Sequence, residues 1–283
     1  MKSALRVPAQ VKSILQSRRP AGPAFGAARG AQELRVASWN IHKCIGTDGR
    51  FDPERTAEVI AEIDADVIAL QEVDRRFGDR QGLLDLDRLA KRTGLEPVPV
   101  QGTLNSHGWC GNLLLVRRAT VGEVHQIALP GLEPRGALVT DIELEGFGSA
   151  RIIAAHFGLL RQSRWRQMRR VMEAVTSVEH PALLMGDLNE WRPGGKSPFD
   201  LAHQSFGALP DPVPSFPSRL PVLALDRIIP SQPGFLSPVR VHDTALARLA
   251  SDHLPISAHL RPRPDQADAT SKATVIGTSR AAE

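Results

Sequence analysis

The chain has 283 residues, 42% of them hydrophobic, with a formal net charge of +4 and two cysteines. That is enough to bury one sizeable α/β core. Two cysteines build neither a disulfide framework nor a zinc-binding spacing, and they suit a reducing, cytoplasmic setting. The basic surplus sits at the ends. Residues 1–32 hold six Lys/Arg and no acid, residues 261–283 hold four against three, and 25 basic and 28 acidic residues remain in 33–260. A core of that sign weighs against sequence-independent grip on long duplex DNA, although a local basic patch suffices for contact with nucleic acid.

Residues 1–32 are rich in Arg, Ala, Gly and Pro and lack both the apolar core of a signal peptide and a membrane-spanning run. They are expected to form a disordered basic tail. Val11, Ile14 and Leu15 beside Lys12, Arg18 and Arg19 outline one amphipathic turn for an anionic membrane surface, which would make the protein peripheral to a membrane. Organelle transit peptides share this composition. Leu34 to Asn40 reads as a first strand, and Asp52-Pro53-Glu54 as a helix start with Asp at the cap and Pro in the first turn. That helix runs to about Ile63 and buries Ala57, Ile60 and Ala61. Asp66 to Glu72 follows as a strand buried on both faces, a β-α-β order that argues a layered α/β domain over residues 33–260.

Leu84 to Thr93 is predicted as a helix closed by Gly94. Gly111–Arg117, Val121–Leu129, Ala137–Leu144 and Ala150–His156 are four strands joined too closely for crossover helices, so they are expected to pair antiparallel in a mixed sheet system. From Gln162 to Val178, Trp165, Met168, Val171, Met172 and Val175 form a core stripe, while Arg161, Arg164, Arg166, Arg169 and Arg170 take the solvated face. A Pro-rich stretch surrounds a short strand, Leu223 to Ile229, and Pro255 to Leu260 is the last strand. Residues 261–283 have the composition of a disordered tail.

Chemistry concentrates where apolar strands end. Pro181-Ala-Leu-Leu-Met-Gly-Asp-Leu-Asn-Glu190 delivers Asp187 and Asn189 to a rim, two apart and so on one side of an extended backbone. Four other runs end likewise, bringing Asn40, Glu72, His156, Asp252 and His253, and Asp226 lies on the short strand before them. Carboxylates, amides and imidazoles gathered in this way suit a reaction that builds negative charge on oxygens, which needs a hard cation and fixed donors. Magnesium takes one or two carboxylates and keeps several waters, and an Asp–His pair favours the imidazolium, a donor to phosphate. Asp187 and His253 are both candidates for the general base, with Asp187 preferred. His42 and Lys43 directly follow Asn40 and are candidates for substrate contact. His107, His125, His180, His203, His242 and His259 are expected on the surface or in loops.

The blocks "SWNIH", "LQEVD", "AAHFGLL", "GDLNEW", "LDRII" and "SDHLPI", in that order, resemble the signature blocks of the endonuclease/exonuclease/phosphatase superfamily, over roughly residues 34 to 260. The resemblance implies a four-layered α/β sandwich, two mixed β-sheets packed face to face with helices outside, and metal-dependent hydrolysis of a phosphate ester. It implies Glu72 as the main Mg²⁺ ligand with Asn40 and Asp252 nearby, Mn²⁺ being an alternative ion. Asp187 and Asn189 would orient and deprotonate water, Asp226 would hold the His253 imidazole, and His156 and His253 would meet the phosphate oxygens. Arg135, in "EPRGAL", matches a position where relatives often carry arginine. Several nuclease members place a tyrosine where this chain has Cys110, and the sequence has no tyrosine at all. The substrate is thus expected to be a nucleic acid, a phospholipid or a small phosphoester, with no obligate protein partner. The rival expectation is an idle module of the same fold that binds a partner or a membrane.

Overall fold

The structure is a computed structural model and describes residues 34–76, 78–101, 105–175, 180–192 and 197–261. The expected tails, 1–32 and 261–283, lie outside the described residues except for Arg261, whose amide donates to the Phe235 carbonyl at 2.7 Å. Strand β1, Leu34–Asn40, is buried along its whole length. Helix α1, Pro53–Ile63, starts where Asp52 accepts from the Arg55 amide at 3.0 Å and ends at Asp64, whose φ is 49°. β2, Val67–Gln71, is fully buried. α2, Leu86–Thr93, is capped by Asp85 and closed by left-handed Gly94. β3, Glu96–Pro97, and β4, Asn112–Val116, follow.

The second half holds β5 (Ala119–Leu129), β6 (Arg135–Leu144), β7 (Gly148–His156), α3 (Arg161–Val175) and β8 (Ala182–Asp187). After these come α4 (Phe199–Phe206), β9 (Asp226–Pro230), β10 (Arg240–Val241), α5 (Ala245–Ala250) and β11 (Ile256–Leu260). Two mixed sheets result, ordered β10-β11-β1-β2-β4-β3 and β5-β6-β7-β8-β9. The first strand lies between β2, parallel to it, and the last strand, antiparallel, with Leu34 opposite Leu260.

Strand alternation builds the layers. Val36, Val67, Ala69 and Leu114 of the first sheet meet Leu138, Ile152, Leu183 and Met185 of the second in one inter-sheet core. The intervening residues Ala37, Ile68 and Leu70 face outward onto Val59, Ile60 and Ile63 of α1 and onto Ala247 and Ala250 of α5. On the other side Val139, Ile153 and Leu184 pack against Met168, Val171 and Met172 of α3 and Phe206 of α4. The period of two along every central strand therefore gives a four-layered α/β sandwich. Each fully buried Leu, Ile or Val contributes about 1.5–3 kcal/mol.

Several expectations are corrected. The two-residue link Arg117-Arg118 is not a hairpin: β4 pairs with β2 in one sheet and β5 with β6 in the other. Both arginines bond the buried Asp66 carboxylate at 2.9 Å, and Arg118 takes a φ of 53°, so the chain turns from one sheet to the other there. α1 buries Val59, Ile60 and Ile63, whereas Ala57 and Ala61 are half-buried. The end of the helix predicted to reach Val178 falls outside the described residues. Helices α4 and α5 and the two-residue strands β3 and β10 were not anticipated.

Gly186, in β8, has φ +148°, and a Cβ there would stand 1.8 Å from the Ala155 carbonyl oxygen of neighbouring β7. Only glycine lets β8 lie this close. Gly186→Ala is expected to cost about 3 kcal/mol in chemical denaturation, because the strand beside Asp187 must move. A loss below about 0.5 kcal/mol would show the backbone to be free to relax.

Candidate active site

Every residue singled out from the strand ends lies on one rim, for a topological reason. Asn40, Gln71, His156 and Asp187 end β1, β2, β7 and β8, and the parallel registers set Asn40 opposite Gln71 and His156 opposite Asp187. Strands running the other way begin there. Asp226 opens β9 opposite Asp187, Arg135 opens β6, and His253 lies three residues before β11. Glu72 follows β2 directly, with a left-handed φ of 60°.

Asp187 is the centre of one group. Its Oδ2 accepts from Asn40 Nδ2 at 3.1 Å and lies 3.4 Å from His156 Nε2 and 3.8 Å from His253 Nε2. His253 Nδ1 donates to Asp226 Oδ2 at 2.9 Å, since a carboxylate can only accept. Burial opposes charge on Asp187, but the imidazoles of His253 and His156 and the Asn40 amide outweigh it and hold the carboxyl well below its usual range. Burial would likewise lower His253; Asp226 and Asp187 overcome it and push the imidazole up to about 10. The result is a buried array in which an ionised Asp187 and a His253 imidazolium lie beside the Asp226 carboxyl group.

Glu72 anchors the second group. It shares one pocket with Lys43, Arg76, Arg80, Cys110, Arg135 and His156, so His156 belongs to both groups. Burial tends to raise the Glu72 carboxyl, yet His156, Lys43 and Arg135 bring it down overall. The Lys43 ammonium is in direct contact with Glu72 Oε2. Arg135 Nη1 lies 2.7 Å from both ring nitrogens of His156, while Nε and Nη2 donate to Glu133 Oε2. His42 bonds the Ile45 carbonyl through Nδ1 and stands 3.7 Å from Asp252, which links Asp252 to the Lys43 turn.

These residues fit a hard dication. Glu72 is a carboxylate on which a cation, Lys43, already sits, and Asn40 ends the neighbouring strand with its Oδ1 accepting from the His42 amide at 3.0 Å. Asp187, Asp226 and His253 offer ligand atoms within 4.8 Å of one another, but this second set could hold a metal ion only with the His253 imidazole neutral, since an imidazolium has no lone pair to give.

One expected geometry is corrected. Asn189 does not share Asp187's direction, because β8 ends at Asp187 and Asn189 takes φ 51°. Its backbone N–H donates to Asp187 Oδ1 at 3.0 Å and its Nδ2 to the Phe157 carbonyl at 2.9 Å, so it fixes Asp187 from below. Arg164, expected in solvent, is buried and bonds Glu190 at 3.1 Å. His242, expected at the surface, is buried against Glu62.

Sequence reasoning missed the groups that hold the array. Ser215 Oγ donates to Asp226 Oδ2, and Ser251 Oγ donates to the Asn40 carbonyl at 2.7 Å while accepting from the His253 amide at 3.1 Å. Trp39 Nε1 donates to the His253 carbonyl at 2.9 Å, and the Phe216 ring lies 4.8 Å from the imidazole. Ser251 stands two residues before His253, which was the available signal.

The family profile described as Endonuclease/Exonuclease/phosphatase family matches residues 37–253, the span that contains both groups. The chain belongs to this family. Family members are generally phosphoester hydrolases. An endonuclease/exonuclease/phosphatase from Beutenbergia cavernae shares the fold at TM-score 0.63 and 24% identity, covering 82% of this chain and 72% of that one. The human Nocturnin catalytic domain with bound sulfate matches at TM-score 0.60 and 20% identity, over 81% of this chain and 93% of the other. A Bacteroides thetaiotaomicron mannosyl-6-phosphatase matches at TM-score 0.60 and 19% identity, over 81% and 99%. No curated protein matches the sequence.

In metal-free protein, Asp226→Asn is expected to bring the His253 titration, followed by NMR of its ring protons, down from about 10 toward roughly 6.5. An unmoved titration rejects Asp226 as its partner. The folded value lies above the unfolded one, so this contribution to stability is complete below roughly pH 6.5 and is lost as pH rises through the folded value. The cost of Asp226→Asn, about 3 kcal/mol near pH 6, should therefore shrink at alkaline pH.

Proposed function

We propose that the protein is a divalent-metal-dependent phosphoester hydrolase acting first on a phosphodiester. The observation that carries this reading is the buried Asp226–His253–Asp187–Asn40 array set beside Glu72 and its cations. Glu72, with Asn40 and Asp252, would hold Mg²⁺ or Mn²⁺. The bound ion supplies Lewis-acid stabilisation of negative charge on the phosphate.

The protein's own residues divide the remaining work. At neutral pH the His253 imidazolium, held by Asp226, is a donor to a phosphate oxygen and has no free lone pair with which to act as a base. Asp187 is ionised and accepts a proton from an attacking water, with Asn40 and the Asn189 amide fixing its two oxygens. His156 and Arg135 offer further donors to the phosphate, and Lys43 and His42 flank the same pocket. Two neighbours of the same fold support the phosphoester reading: the Nocturnin domain is described with bound sulfate, and the mannosyl-6-phosphatase is named for phosphate-ester cleavage. The acidic balance of residues 33–260 and Cys110 in place of a tyrosine favour a substrate other than long duplex DNA. Among the described residues no helix is long and apolar enough to cross a membrane, and Cys44 and Cys110 are both free thiols. Free thiols are consistent with a cytoplasmic location.

Bis-p-nitrophenyl phosphate should be hydrolysed with added Mg²⁺ and spared in EDTA. Glu72→Gln and His253→Ala are each expected to lower kcat by roughly a thousandfold while circular dichroism stays unchanged. Wild-type turnover in either variant defeats the residue assignment, whereas absence of metal-dependent turnover by the wild type leaves an idle binding module as the better reading.

A further inference from the structure

Among the described residues seven large apolar side chains are exposed, and four of them stand on one edge of the candidate site. Leu132, 87% exposed, lies in the β5–β6 connection just before Arg135. Leu159 and Leu160, 64% and 51% exposed, follow His156, and Trp191, 48% exposed, follows Asp187 and Asn189. The loops that end in the phosphate-facing residues thus carry their apolar side chains outward. Apolar groups gathered in this way beside a polar site mark an interaction surface.

The collar is held rigidly. Glu133 Oε1 accepts from the Leu159 amide at 3.3 Å. Buried Arg164 donates to the Leu159 carbonyl and to Glu190 Oε2, and Glu190 Oε1 accepts from the Arg192 amide at 3.1 Å. The same bonds turn the acids of these loops inward, Glu133 onto Arg76 and Arg135 and Glu190 onto Arg164. What remains outward is apolar or cationic. Arg192 is exposed with its guanidinium 5.6 Å from the Trp191 ring centre, and Arg161 is exposed beside Leu160.

From this we infer that the rim docks onto an anionic lipid bilayer, so that the ester reaching Glu72 and Asp187 belongs to a lipid headgroup. The docking stands on the collar alone; the headgroup rests on the phosphoester reading above. Leucines at a headgroup boundary bury apolar surface, an indole prefers that depth, and arginines draw anionic lipid toward it. Arg161, Arg192 and Trp191 would also suit nucleic acid, which is met by donors to phosphate and by stacked aromatics, but the three exposed leucines offer it neither.

Flotation of the full chain with phosphatidylcholine vesicles, with and without phosphatidylglycerol, tests the docking. Wild-type protein should float with the anionic vesicles. The Leu159→Asp/Leu160→Asp double variant should lose binding by roughly tenfold or more, with hydrolysis of soluble bis-p-nitrophenyl phosphate unchanged. The basic tail is present in both proteins, so any share it has in binding cancels. Failure of the wild type to float, or equal binding by the variant, overturns the inference and leaves soluble-ester hydrolysis to decide the catalytic reading separately. Vesicle binding without any hydrolysis upholds the docking and defeats the catalytic reading. Loss of DNA binding in the variant with no vesicle binding assigns the collar to nucleic acid and also overturns the inference.

Discussion

A carboxylate with almost no exposure, Asp187, must stay charged in the interior, and much of the surrounding architecture meets that demand. Isolated in a low-dielectric site it would be protonated or displaced. Two imidazoles, an amide side chain and a backbone N–H meet it instead, each from a different strand end or turn. Asp226 in turn stabilises the His253 charge, and Ser215 and Trp39 secure that pair. The mixed sandwich makes this convergence available, because parallel strands finish and antiparallel strands start on the same edge.

The cost of such an edge appears in the backbone. His42, Lys43, Cys44, Glu72 and Asn189 all take left-handed φ although none is glycine. Each such residue costs roughly 1–2 kcal/mol, and such strain persists where the surroundings over-determine it. Here Lys43 and Glu72 bind each other, and Asn189 is tied to both Asp187 and Phe157. The strained residues and the charged groups are therefore one structural unit.

The sequence made the core strands and the rim residues legible because both obey short-range rules. Apolar runs ending at Asn40, Glu72, His156 and Asp187 announced buried strands, and Asp52-Pro53 and the closing Gly94 announced two helices. What stayed hidden depended on distant partners. Arg117-Arg118 has the length of a hairpin turn, and only the buried Asp66, some fifty residues earlier, diverts it between sheets. Arg164 looks like one more solvent arginine until Glu190 is folded against it. Asn189 follows strand alternation on paper, but the chain turns as soon as Asp187 has delivered its side chain.

The pairing of Leu34 with Leu260 has a consequence for how the molecule comes into being. β1 is an interior strand of its sheet, yet one of its two neighbours is the last strand among the described residues, so its second hydrogen-bonded border waits for residues 256–260 to be synthesised. Pairing across so long a sequence separation is slow, and until it happens an apolar strand edge is open to the wrong partner. Until residues 256–260 are available, this border of β1 has no partner from its own sheet.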